Sequence, residues 1–70
     1  MNELIKKVKK AREFWSKIAK ENGWSMEDRG VTIWVDKDMN QLDSIYNTQD
    51  SDTSYIVDYE TQNLIKEIKH

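Results

Sequence analysis

The chain has 70 residues, 34% of them charged, with no cysteine, no proline and a formal net charge of −2. One domain of this size buries only about 60% of the surface its unfolded chain exposes, so the core is thin, and without cysteine no disulfide or thiolate-bound metal can brace it. No apolar run approaches the roughly 18 residues of a membrane span, and lysines break up the N-terminus too often for a secretory leader, so a cytosolic location is the default expectation.

Residues 3–21 read as one amphipathic helix. Leu4, Val8, Ala11, Trp15 and Ile18 step by four, three, four and three, with Ile5, Phe14 and Ala19 at the edges of the stripe. Asn2 is the expected N-cap and Glu3 lies in the positive first turn. Gly23 is the expected left-handed C-cap, with Trp24 folding back on the last turn. The opposite face carries Lys6, Lys9, Lys10, Glu13, Lys17 and Lys20.

Residues 31–36, Val-Thr-Ile-Trp-Val-Asp, alternate and are rich in β-branched side chains, which predicts a strand. Lys37 to Asn40 predicts a turn, and residues 41–46 return as a second strand. Setting Asp36 opposite Gln41 places Val35 against Leu42, Ile33 against Ser44 and Val31 against Tyr46 on one face, so turn and pattern agree. After a polar loop, residues 54–60 read as a third strand with Tyr55, Val57 and Tyr59 facing the helix. Residues 64–69 read as a fourth strand with Leu64 and Ile68 inward, although Leu64, Ile65 and Ile68 also fit a short helix capped by Thr61. The expected architecture is a single α+β domain over residues 1–70: an N-terminal amphipathic helix on one face of a small antiparallel β-meander of three to four strands. The outer face of that sheet would carry Trp34, Ile45, Ile56 and Ile65, an apolar patch of the kind that marks a partner or dimer surface.

The charge is divided along the chain. Residues 1–20 carry seven basic side chains against Glu3 and Glu13, whereas residues 21–63 carry ten acidic ones against Arg29 and Lys37. Asp36, Asp38, Asp43, Asp50, Asp52, Asp58 and Glu60 lie on or beside strands, where they would form a ribbon of negative charge able to occupy a basic nucleic-acid channel on another protein. The lysine face of the helix, Lys6, Lys9, Lys10, Lys17 and Lys20, would track phosphates, but Arg, the usual base reader, occurs only at positions 12 and 29.

Several chemistries find little footing. Asp36-x-Asp38-x-Asn40 opens like a calcium loop and then has Gln41 where glycine is needed and Asn47 where a bidentate Glu is needed. Asp50-x-Asp52-x-Ser54 departs from the pattern in the same way at Tyr55 and Thr61. No metal or cofactor is expected. His70, the lone histidine, reads as a frayed end, no serine has a histidine to activate it within a formed site, and no acid/base pair stands out, so no catalysis is expected.

In composition, being short, acidic, cysteine-free and rich in lysine and asparagine, the chain resembles accessory proteins of phages and mobile elements. The resemblance implies a protein that binds and blocks a host enzyme handling nucleic acid, such as a CRISPR nuclease. The expectation is therefore a non-catalytic protein-binding inhibitor or regulator, an anti-CRISPR or DNA-mimic candidate, with Trp34 anchoring an acidic contact. The alternatives are a nucleic-acid-binding protein that uses the lysine face, and a self-assembling protein that pairs through the outer sheet face or an open edge strand. Monomer and homodimer both stay open.

Overall fold

The computed structural model describes residues 2–25, 30–48 and 53–70. One helix, α1 (Asn2–Asn22), precedes four strands, β1 (Val31–Val35), β2 (Gln41–Tyr46), β3 (Thr53–Asp58) and β4 (Leu64–Lys69). The chain is thus α+β, with a C-terminal strand rather than a helix.

The helix buries the stripe its spacing dictates. Val8, Ala11 and Ala19 are buried, Leu4 and Trp15 pack against the core, and Ile5 and Phe14 remain exposed at the stripe's edges. It ends as its Asn-Gly signal requires: Gly23 takes φ 73°, the Trp24 N–H donates to the Ala19 carbonyl at 2.8 Å and the Gly23 N–H donates to Lys20. This is the paired hydrogen-bond closure of a glycine C-cap. The side chain of Asn2, the predicted N-cap, lies outside the described residues.

Trp15 ties the helix to the sheet. Its ring is part-buried, its Nε1–H donates to Ser44 Oγ at 3.2 Å, and it meets Phe14 edge-on with centroids 5.6 Å apart. Trp15→Ala is expected to cost about 3 kcal/mol, the low end for an aromatic truncation because the ring is not fully enclosed. That cost lowers the melting temperature of a chain this size by about 12–24 °C. A thermal melt followed by circular dichroism checks it, and a near-normal midpoint would show that the helix docks by other contacts.

The β1–β2 hairpin forms in the expected register at Ile33↔Ser44 and Val31↔Tyr46. At its turn end the register slips: Val35 pairs with Gln41 rather than Leu42, and Leu42 becomes the extra residue of a bulge. The turn itself is built by Asp36. Its Oδ1 accepts the backbone N–H groups of Asp38 and Asn40, both at 2.9 Å, and its Oδ2 accepts from the Asn40 amide at 3.1 Å. Met39 adopts φ 64° to complete it and packs back on the core.

The strand order is β2-β1-β3-β4, with β1 and β3 parallel. The sheet is therefore mixed, not the expected meander, in which β2 would have separated β1 from β3. The physical reason is the distribution of charged residues. Val31–Val35 and Thr53–Asp58 have no charge inside the strand, Asp58 standing at its end; they are the most buried strands and occupy the centre, where both edges are paired. Gln41–Tyr46 and Leu64–Lys69 carry charges within the strand, Asp43 in one and Lys66 and Glu67 in the other, and form the edges, where charged side chains discourage further pairing. A meander would have placed Asp43 in a central strand.

This order inverts the predicted faces of β3. Ile56 pairs with Ile33 and is fully buried under the helix, together with Ser54; Tyr55 and Val57 pair with Thr32 and Trp34 on the outer face. Tyr55, Val57 and Tyr59 are thus not the inner set, and Ile56 is not part of the outer patch. An inward Ser54 is tolerated because its Oγ accepts the buried Val31 N–H at 3.0 Å, while outward tyrosines keep their hydroxyls near water. β3 also ends at Asp58 rather than Glu60, since residues 59–61 turn. In β4, Ile68 faces inward opposite Ser54. Leu64 does not: Ile65 is inserted as a bulge, and Leu64 pairs with the outward Val57.

The start of β3 lies close against the start of β1, and Gly30 makes room for it. A Cβ at this position would lie 1.9 Å from the Thr53 carbonyl oxygen. Asn47 pins this close approach: its N–H donates to the Gly30 carbonyl, its Nδ2 donates to the Thr53 carbonyl, and its Oδ1 accepts from Thr32 Oγ1 at 2.6 Å.

Candidate functional site

The parallel pairing of β1 and β3 has a direct electrostatic consequence. Each of these central strands runs into an acid-x-acid turn: Asp36-Lys37-Asp38 after β1, and Asp58-Tyr59-Glu60 after β3. Val35 pairs with Asp58, and the Tyr59 N–H donates to the Val35 carbonyl at 2.9 Å, so the two turns lie side by side. In a meander they would sit one strand further apart, by about 4.8 Å. Asp36, Asp38, Asp58 and Glu60 therefore surround one groove of about 470 Å³.

Its walls are not only acidic. Leu42, pushed out by the hairpin bulge, is 52% exposed, and Tyr59 in the second turn is 51% exposed. Among the described residues, Lys37 is the one basic side chain lining it. An apolar and aromatic centre inside a charged rim is the layout of a protein-binding surface.

Two of the four carboxylates also build the turns they stand on. Asp36 does so as described, and Asp58 Oδ1 accepts the Thr61 N–H at 2.9 Å. The Asn40 N–H foremost, then the Asn40 amide, the Asp38 N–H and the Lys37 charge, hold the Asp36 carboxyl below its ordinary pKa of 3.8, against a smaller opposing effect of desolvation. A lowered pKa means the turn's ionic contribution is complete above the ordinary value and is lost as pH falls through the lower, folded value. Asp36→Asn is accordingly expected to flatten the acid limb of the stability curve below about pH 4 and to lower stability at neutral pH. Melting temperatures measured across the acid range check this, and an unchanged acid limb would remove Asp36 from the acid response.

Asp43 does not join this groove. Asp43 pairs with Trp34 on the outer face, where its Oδ1 accepts its neighbour's Ser44 N–H at 2.8 Å. Asp50 and Asp52 lie outside the described residues. The expected ribbon is thus an acidic end of the sheet plus a separate carboxylate on the edge strand.

Trp34 sits as expected on the outer face, half-buried between Asp43 on β2 and Val57 on β3. Its Nε1–H donates to Gln62 Oε1 at 3.1 Å, and Gln62 Nε2 donates to the Tyr59 carbonyl at 2.6 Å. The indole is thereby fixed to the turn that carries Tyr59 and Glu60. Thr32, Trp34, Ile45, Tyr55, Val57 and Leu64 line this side of the sheet, while the helix packs on the other side against β1 and β2.

On the helix, Lys6, Lys9 and Lys10 border one shallow depression with Lys7, but Glu3 and Glu13 border it too. Lys17 and Lys20 are exposed further along and do not join it. His70 is not a frayed end: its Nε2 lies 2.6 Å from Ser54 Oγ and its Nδ1 lies 3.5 Å from an Arg12 guanidinium nitrogen. Sequence spacing gave no hint of this contact, because it depends on β3 facing Ser54 inward. Ser54 is 0% exposed, so no substrate reaches its hydroxyl.

Leu42, Lys37 and Tyr59 escaped the sequence reading. The repeated acid-x-acid pattern at the ends of β1 and β3 was the available signal for Lys37 and Tyr59. Leu42 had none, because alternation predicts it inward. No family model matches the chain, and no curated protein or solved structure matches it either. No helix among the described residues is long and apolar enough to cross a membrane.

Proposed function

We propose that this chain is a small, non-catalytic protein-binding inhibitor or regulator that docks its acidic end on a basic surface of another protein. The observation that carries the reading is the convergence of Asp36, Asp38, Asp58 and Glu60 from two distant turns around the half-exposed Tyr59 and Leu42. Gathering like charges at one end opposes folding through self-repulsion, and a basic partner relieves that repulsion while the tyrosine and leucine supply desolvated contact. Trp34, held by Gln62 beside the same turn, extends the contact on to the outer face.

The composition adds the class of target: an accessory protein of a phage or mobile element acting in the cytosol on a nucleic-acid-handling enzyme such as a CRISPR nuclease. The acidic end would then occupy the place of nucleic-acid phosphates. The lysine depression favours nucleic acid less, because two glutamates border it.

Affinity capture from a host lysate, with and without nuclease, followed by titration of the retained protein tests the reading. Asp38→Lys with Glu60→Lys spares the turn-forming carboxylates of Asp36 and Asp58. This double variant is expected to weaken binding by at least about tenfold, roughly 1.4 kcal/mol, with an unchanged melt. Lys6→Glu with Lys10→Glu is expected to leave binding intact. Capture that vanishes with nuclease, or that responds to the lysine variants and not the acidic ones, would sink the proposal in favour of nucleic-acid binding.

A further inference from the structure

β4 is an edge strand whose outer side pairs with no other strand among the described residues, and the helix packs mainly over β1 and β2. Between α1 and β4 this leaves a groove of about 600 Å³ with Ile5, Val8 and Ile68 in its lining and Lys9, Arg12 and Glu13 beside them. Ile5 is 52% exposed in it. The bulge at Ile65 confines the regular ladder of β4 to Lys66–Lys69, and His70 continues beyond it. Ile68 is therefore the midpoint of the regular edge formed by residues 66–70.

A second copy of the chain fits this edge in only one register. Antiparallel pairing through a two-fold axis must place residues of the same face opposite one another, so the axis passes through a residue, not between two. An axis at Lys66 or Lys69 sets lysine against lysine, and one at Glu67 sets glutamate against glutamate; directly opposed like charges are unfavourable. An axis at Ile68 sets isoleucine against isoleucine on the helix side. On the outer side it sets Glu67 of each copy against Lys69 of the other, two complementary pairs per dimer.

We infer that two copies of this chain associate antiparallel through β4 about a two-fold axis at Ile68. The two four-stranded sheets become one continuous sheet with both helices on the same side. The apolar lining of each groove, including Ile5 and Ile68, then meets its counterpart across the axis. The acidic end lies away from this junction, at the far end of β1 and β3, so the dimer presents two acidic ends. This inference does not rest on the proposed target, and oligomeric state is measured without any partner.

Sedimentation of the full chain from micromolar to millimolar concentration tests it. The expected result is a mass rising from the 8.4 kDa of one chain towards twice that value. Glu67→Lys and Lys69→Glu, both at exposed positions, are each expected to weaken the dimer about tenfold by opposing like charges twice. The double exchange E67K/K69E is expected to restore it. Since the chain has no cysteine, Ile68→Cys is expected to oxidise to a covalent dimer faster than Glu67→Cys or Lys69→Cys. A monomer at every concentration overturns the inference. So does a dimer indifferent to the charge variants, or one in which a cysteine at 67 or 69 links faster than one at 68; either would put the contact elsewhere, such as the outer face. Thermal melts of the variants keep loss of folding distinguishable from loss of association.

Discussion

Replacing Gly30 by alanine is expected to unfold most of the protein at physiological temperature. A Cβ at position 30 would stand 1.9 Å from the Thr53 carbonyl oxygen, 2.5 Å from its carbonyl carbon and 3.1 Å from the Ser54 nitrogen. All three are backbone atoms, so no rotamer change relieves the clash. β3 would have to move away from β1, and with it go the Val31–Ser54 hydrogen bond and the Asn47 bridge from Gly30 to Thr53. Overpacking costs about 1–3 kcal/mol where side chains can yield, and more where they cannot. A chain of this size has only about 3.5–10 kcal/mol in total. The midpoint should fall by at least about 15 °C. Gly23→Ala is the control: its Cβ meets nothing within 4 Å and only the positive φ of 73° opposes it, so the expected cost is about 1 kcal/mol. Comparable melts for the two variants would show that this close approach is looser than described.

The second large effect separates the two faces of β3. Ile56 is fully buried between Ile33 and the helix, and Ile56→Ala is expected to cost about 2–5 kcal/mol. Tyr55 and Val57 face outward and half-covered, so Tyr55→Ala is expected to cost under about 2 kcal/mol. Denaturant unfolding of both variants measures the difference directly. Equal costs, or a larger one for Tyr55, would show that the other face of β3 turns inward.

The acidic surface was legible as a set of residues but not as a place. Aspartates at 36, 38 and 58 and Glu60 could be named from their positions near strand ends. That they share one groove follows from which strands are neighbours. Alternation along β3, Ser-Tyr-Ile-Val-Asp, permits either face inward, because each side offers a large apolar side chain, Ile56 on one and Tyr55 with Val57 on the other. Local spacing does not choose between Tyr55 with Val57 and Ile56 with Ser54. The choice is made by β1, whose Val31 N–H needs the Ser54 hydroxyl and whose Ile33 stands beside Ile56. The two bulges had no sequence signal either: neither Leu42 nor Ile65 is a glycine or proline.

The sequence by itself determined the elements that depend on neighbours close along the chain. The helix stripe, its Gly23 cap, the turn after Asp36 and the hairpin core at Ile33 and Ser44 rest on contacts close along the chain, whereas the pairing of residues 64–69 with β3 chose strand over helix for the last element. The tertiary structure alone decided the order β2-β1-β3-β4, the inward face of β3, the contact between His70 and Ser54, and the single acidic end. Those features depend on which strands stand side by side. That is settled by placing the two strands without an internal charge at the centre and those with charges inside the strand at the edges, a competition among distant segments that no local pattern records.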